Sequence, residues 1–227
     1  MTSAVAGELV RLEGVSCRYG GDPVLSDVSL SVGAGEFIGV VGPSGSGKST
    51  LLSTILGMNQ PKAGSIRVCG LQVDGLGPTK SAAIRREHIG VVFQDGELLP
   101  ELTAAENIAV ALMMNQPHRY GSRLDEAREL LASVGVPADT RAEDLSGGER
   151  QRTAMVRALS TSPELVIADE PTGSLDTQTR DEVADLLFDT IKERGGALLV
   201  VTHDPTIADR ADRRIDLRDY ALASAGA

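Results

Sequence analysis

Residues Gly42 to Ser49 read Gly-Pro-Ser-Gly-Ser-Gly-Lys-Ser. They lie between a short apolar run, Phe37 to Val41, and an apolar helical stretch from Lys48 to Leu56 that stops at Gly57. Strand, glycine-rich loop and helix in that order form the P-loop pattern, which commits this part of the chain to an α/β layer. The glycines let the backbone curl until the amides around Gly45, Ser46, Gly47 and Lys48 converge, and the helix N-terminus adds the positive end of its dipole. Such a spot suits phosphate oxygens. Lys48 is expected to neutralise the β and γ phosphates and Ser49 to offer its hydroxyl to magnesium, with Gly42, Pro43, Ser44 and Thr50 completing the cradle.

Around this unit the expected elements fall into three groups. Glu8 to Cys17 and Val24 to Val32 alternate like strands around the turn residues Tyr19 to Pro23, which predicts an antiparallel meander. Strands are also expected at Gly64 to Gly70 and Ile89 to Phe93, with a basic helix around Ala82 to Arg86. From about 97 to 160 strand character disappears, and three capping-box pairs announce helices: Thr103 with Glu106, Ser122 with Asp125, and Ser146 with Glu149. Leu124, Ala127, Leu130, Leu131 and Val134 share one face of the middle helix, which Gly135 and Pro137 end. After Pro163 come strand Leu-Val-Ile-Ala-Asp, a helix from about Asp176 to Arg194, strand Ala-Leu-Leu-Val-Val-Thr, and a helix start at Asp204 and Pro205.

The formal net charge of -10 argues against attraction to nucleic acid or to an anionic lipid surface, so no nucleic-acid partner and no direct lipid binding are expected. No apolar stretch approaches the roughly 20 residues that cross a bilayer, and no secretory leader is visible, so a cytoplasmic location is expected. The two cysteines, Cys17 and Cys69, sit in strand-like runs without the spacing of a metal knuckle. The three histidines are scattered, so any metal is expected to arrive with the substrate.

Two further segments carry chemistry. Leu165 to Glu170 ends an apolar strand in two acids: Asp169 is expected to bind magnesium through its water shell, and Glu170 to polarise the attacking water as a general base. Leu145 to Arg152 reads Leu-Ser-Gly-Gly-Glu-Arg-Gln-Arg, a second helix N-terminus in which Ser146 caps while Gly147 and Gly148 leave amides open to an anion.

That string resembles the signature of the ABC ATPase family. The resemblance implies an α/β P-loop NTPase core with a mixed sheet, spanning about 1–94 and 161–227, with an N-terminal antiparallel β subdomain and an inserted helical subdomain at about 95–160. It further implies ATP and Mg2+ as ligands and a homodimer in which Ser146, Gly147, Gly148 and Glu149 serve the ATP held by the twin chain. By the same resemblance Tyr19 stacks on adenine, Gln94 touches magnesium or water, Asp176 lies where the subunits communicate, and His203 contacts the γ-phosphate. Transmembrane permease subunits are the implied partners, holding the chain peripherally on the inner face of the membrane.

Asp-Glu-Pro-Thr-Gly-Ser-Leu-Asp at 169–176, Leu-Leu-Pro-Glu-Leu-Thr-Ala-Ala-Glu-Asn-Ile at 98–108 and the final Thr-His-Asp-Pro are similar to the bacterial branch of lipoprotein-release, macrolide-efflux and cell-division ATPases. Asp95, Gly96 and Glu97 depart from it, being acidic where relatives often carry aromatic or basic residues, in the stretch that docks the membrane partner. A short tail also replaces the terminal hairpin. An ABC ATPase driving a non-transport membrane complex is the alternative reading. A DNA-maintenance ATPase would need a long coiled coil or zinc inserts, and a kinase or GTPase a substrate lid or guanine-reading motif; neither pattern is visible in the sequence.

Overall fold

The computed structural model describes residues 7–19, 22–115 and 120–220. In chain order the strands and α-helices are β1 Glu8–Tyr19, β2 Asp22–Gly33, β3 Phe37–Val41, α1 Lys48–Ile55, β4 Ala63–Val68, β5 Leu71–Gln72, α2 Pro78–His88, β6 Ile89–Val92, α3 Ala104–Asn115 and α4 Tyr120–Ser133. They continue as α5 Gly147–Leu159, β7 Leu165–Asp169, α6 Thr177–Glu193, β8 Ala197–Val201, α7 Pro205–Ala208 and β9 Arg213–Asp216.

Two sheets organise them. The antiparallel sheet runs β2-β1-β4-β5 and the second runs β6-β7-β8-β3-β9, every pair in it parallel. The long β1–β2 ribbon shows how its pattern is kept in register. Val10 and Leu12 are buried, then parity changes and Val15 and Cys17 are buried; on β2 the change falls between Leu25 and Val28. Positive φ at Gly14 (60°) and Asp27 (56°) marks irregularities on both strands, which return each apolar set to the core face.

One core lies between the antiparallel sheet, α1 and one face of the parallel sheet, around Leu12, Leu25, Ile38, Leu51, Ile55 and Ile66. A second fills the other face under α5 and α6, including Phe188, Val200 and Met155. Because β3, β7 and β8 are covered on both sides they read as unbroken apolar runs. A third core belongs to α3, α4 and α5, with Ala105, Ile108, Leu131 and Val156 inside.

Several expectations change. The capping boxes at Thr103–Glu106 and Ser146–Glu149 form, with both reciprocal bonds present. Ser122, however, lies inside α4, which is already helical at Tyr120, so it is not that helix's N-cap. Helix α2 starts at Pro78, earlier than expected, because Pro suits a first helical turn. Strand β9 escapes a pattern search: only Ile215 among Arg213–Asp216 is buried, so an edge strand with charged flanks leaves no apolar run. Cys17 lies buried in β1, whereas Cys69 lies beyond β4 in a turn. Burial raises the Cys17 thiol; at Cys69 burial and the nearby Glu164 carboxylate push it up to about 11. The segment 221–227 lies outside the described residues.

Candidate functional site

All five strands of the second sheet are parallel, so their carboxyl ends share one edge. That edge collects the loop after β3, Gln94 after β6, Asp169 and Glu170 at the end of β7, and His203 after β8. Open α/β sheets bind their ligands at such an edge, where the path of the chain reverses across the sheet.

The β3–α1 loop has the physical marks of an anion cradle. Gly45 (φ 81°) and Gly47 (φ 94°) take the left-handed turns that a Cβ would strain. At Gly47 a Cβ would also stand 2.8 Å from Val24 Cγ1 and 2.9 Å from Leu25 Cδ2, so the loop packs directly on β2. Gly47 is the N-cap of α1 and supplies no side-chain oxygen to the first amides, which are left for a ligand. Ser46 Oγ is buried without a hydrogen-bond partner, a polar atom whose cost an approaching oxygen would relieve. Lys48 Nζ folds back to donate to the carbonyls of Gly42 (2.7 Å) and Pro43 (3.1 Å), which holds the cation over the loop. Pro43, Ser44, Gly45 and Ser49 are exposed, and Thr50 is half-buried in the first turn of α1. These features fit a polyphosphate.

The acidic pair stands opposite. Burial, with the Glu170 charge next, raises Asp169 above the ordinary carboxylate range, against a lowering by Lys48. The fold therefore disfavours the Asp169 anion: its contribution to stability is present in acid and falls as pH rises through the raised value. A divalent cation beside Asp169 would favour its ionised form, and the Ser49 hydroxyl and Gln94 side-chain carbonyl are oxygen donors of the kind magnesium takes, so these residue types fit magnesium. Glu170 adopts φ 46° and is only 13% exposed at its side chain. Its two oxygens are both engaged by His203, Oε1 with ring Nδ1 at 2.9 Å and Oε2 with the backbone N–H at 3.2 Å. Next to His203, Asp204 caps α7 and pairs with Arg180 of α6 at 3.0 Å, which fixes the β8 end.

The second glycine pair has a different setting. Ser146 caps α5 by accepting from the Glu149 amide at 3.3 Å, while the Glu149 carboxylate, lowered chiefly by its hydrogen bonds with Ser146, accepts from the Ser146 amide at 2.8 Å. Gly147 has room for a Cβ at 3.4 Å from Leu175, but at Gly148 the Cβ would meet Thr179 Cγ2 at 2.6 Å. Gly148 thus has a packing role between α5 and α6 that sequence spacing did not reveal. Asp176 caps α6, accepting from Gln178 and Thr179 amides, and these bonds lower its carboxyl. Gly148→Ala is expected to lose about 1 kcal/mol of stability, because overpacking outweighs the gain in helix propensity. In a Thr179→Ser background the same change should be neutral or stabilising; thermal unfolding of the four proteins of this cycle measures the coupling.

Gln94 is exposed, and its amide approaches the chain at Gly173, so it bridges toward the segment that follows Glu170. The loop behind it is pinned to α5 by residues the sequence reading passed over. Gln151 Nε2 donates to the Phe93 carbonyl at 3.1 Å, and Arg157 donates to the Glu97 and Gly96 carbonyls at 2.6 and 2.7 Å. The available signal was a polar Gln151 inside the stripe of Ala154, Met155 and Ala158. Tyr19 ends β1, pairing with Asp22 through the backbone, and its side chain lies outside the described residues.

With this geometry in hand, the ABC transporter family matches residues 25–173. The chain belongs to that family. It is an ABC ATPase cassette, the ATP-binding and ATP-hydrolysing subunit type of a membrane transporter. It is 44% identical over 232 residues to the lipoprotein-releasing system ATP-binding protein LolD of Anaeromyxobacter dehalogenans, covering 100% of this chain and 97% of that one. The LolD of Bordetella pertussis is 46% identical, with 88% and 87% covered. Among solved structures, the ATP-binding cassette MJ0796, a dimer in a post-hydrolysis state with ADP and Pi, superposes with a TM-score of 0.83 at 34% identity, covering 92% of this chain and 94% of that one. No helix among the described residues is long and apolar enough to cross a membrane.

Proposed function

We propose that two copies of this chain close head to tail on two ATP molecules and thereby move the permease subunits of a lipoprotein-releasing transporter. The observation that carries this reading is the pair of open helix tips: α1 behind Lys48 on the sheet edge, and α5 behind Ser146 on the flank of α6. The names of the LolD relatives support the lipoprotein-releasing assignment, and the dimeric MJ0796 cassette supports the twofold arrangement.

In this reading Tyr19 stacks on the adenine. The amides of Gly45 to Lys48 grip the phosphates, and the twin chain caps them with Ser146, Gly147, Gly148 and Glu149. Ser49, Gln94 and Asp169 hold Mg2+, which supplies charge neutralisation along the phosphates when bound. Glu170 accepts the proton of the attacking water as water oxygen bonds to the γ phosphorus and the bond to the β-phosphate oxygen breaks. As Glu170 turns to water, the His203 ring leaves its contact with Oε1 and swings to the γ-phosphate. Asp176, at the start of α6, reports closure to the twin.

Transmission follows from the Gln94 loop. Residues 95–160 form the helical subdomain, and Gln151 and Arg157 convert a shift at Gln94 into movement of α5. A groove of about 310 Å³ lined by Arg86, Leu99, Val110, Met114 and Arg157 accepts the permease, and Leu99 and Met114, 49% and 61% exposed, are its apolar contacts. The chain then sits peripherally on the inner face of the membrane. Affinity purification from detergent-solubilised native membranes should bring down a multi-span protein with a large extracytoplasmic domain. Recovery of the chain with cell-wall-hydrolase regulators instead would overturn the transport reading.

A further inference from the structure

At the opposite edge of the parallel sheet, where its strands begin, three residues meet that phosphate chemistry does not use. Cys69 belongs to the β4–β5 turn, His88 ends α2 just before β6, and Glu164 immediately precedes β7. A Cys Sγ, a His ring nitrogen and a Glu carboxylate oxygen there all lie within 4.8 Å of one another. His88 Nδ1 already stands 2.7 Å from Glu164 Oε1.

The turn makes the thiol conspicuous. Val68 pairs with Leu71 across Cys69 and Gly70, whose φ values are 47° and 76°. Two successive positive φ angles make a type I′ turn, whose first position favours Asn, Asp or Gly. Cysteine there accepts backbone strain and directs its sulfur toward His88 and Glu164. A simple His–Glu ion pair would need neither the thiol nor the strained turn.

We propose that Cys69, His88 and Glu164 form a binding site for one zinc ion. Thiolate, imidazole and carboxylate together are the donors zinc takes, with water as the fourth ligand of a tetrahedron. Magnesium, which prefers oxygen donors in an octahedron, is disfavoured by the sulfur, so this site does not compete for the cation that accompanies ATP. His88 lies at the carboxyl end of α2, where the helix dipole favours positive charge. Cys69 and His88 are half-buried and Glu164 is exposed, so the cluster is open on one side to water and to the entering ion. Bonds of about 2.0–2.3 Å require the Cys69 sulfur to draw in by roughly 1 Å and the His88 and Glu164 donors, 2.7 Å apart, to open slightly around the ion. Rotation of the exposed Glu164 and of the Cys69 side chain supplies this movement. The His88–Glu164 hydrogen bond is exchanged for metal bonds, and the thiol proton passes to solvent. Bound zinc would tie the tip of the antiparallel sheet to the base of the parallel one.

The test is a titration of Zn2+ alone into the purified, chelator-stripped, reduced full-length chain, without nucleotide or Mg2+, against a chromophoric zinc indicator. One equivalent should bind, and His88→Gln and Cys69→Gly should each weaken binding at least tenfold. Cys69→Gly relieves the turn strain and therefore keeps a folded variant without the thiol. Titration with Co2+ should give a sulfur-to-metal charge-transfer band in the native chain and none in Cys69→Gly. Absence of stoichiometric uptake, or uptake unchanged in both variants, would overturn the proposal; zinc held instead by the Asp169–Glu170 end would give that second result, and would be lost in Glu170→Gln.

Discussion

Glu170→Gln should reduce ATP hydrolysis by about 10²- to 10⁴-fold while leaving nucleotide binding intact, the range expected when a positioned general base is removed. The geometry explains why binding survives. Glutamine keeps the shape and a carbonyl that accepts from the His203 backbone N–H, and the His203 ring can present its acceptor tautomer to the new amide. What is lost is the capacity to take a proton from water. Since closure precedes hydrolysis in this account, the variant should accumulate closed: on size exclusion it should elute as a dimer with ATP and Mg2+ and as a monomer without them. Elution as a monomer under both conditions would contradict the twofold arrangement even if hydrolysis were abolished.

Lys48→Ala is expected to weaken ATP binding by about 30- to 150-fold, corresponding to about 2–3 kcal/mol for a charge-assisted contact to phosphate. The present contacts of the ammonium are to the carbonyls of Gly42 and Pro43, the loop's own backbone. Losing these affects the loop's shape far less than losing the phosphate counter-charge affects the ligand. Thermal stability should therefore change little while affinity, read by isothermal titration or a fluorescent nucleotide analogue, collapses. Unchanged affinity would remove the assignment of the β3–α1 loop to the phosphates.

Most of the proposed phosphate edge was legible in the sequence, for a physical reason. Each of its parts is local: a buried strand of apolar residues, then a short polar segment whose residue types are dictated by what the strand end must do. Gly42 to Ser49 and Asp169 with Glu170 were legible in this way, and so was the Ser146 cap with Glu149, whereas His203 stood out only through the family resemblance. What escaped depends on contacts between distant segments. Gly148 is small because Thr179 is 2.6 Å from where its Cβ would be, and no spacing within Leu145 to Arg152 contains that fact. Gln151 and Arg157 hold carbonyls of residues 93 to 97, some 60 positions upstream. Cys69, His88 and Glu164 meet only because β4, α2 and β7 come together in the fold, so histidines that look scattered along the chain include one that is not isolated in space. Ser122 misled for the opposite reason: a local capping pattern was present, but the helix had already begun.

In the proposed dimer the central device is a γ-phosphate held by one molecule and capped by the amides of Gly147 and Gly148 from another. A crystal or cryo-electron-microscopy structure of Glu170→Gln with ATP and Mg2+ tests this directly. The account predicts two nucleotides between two chains, each γ-phosphate within hydrogen-bonding distance, about 3 Å, of the twin's Ser146–Gly148 tip. A closed complex in which each γ-phosphate touches residues of a single chain would contradict it.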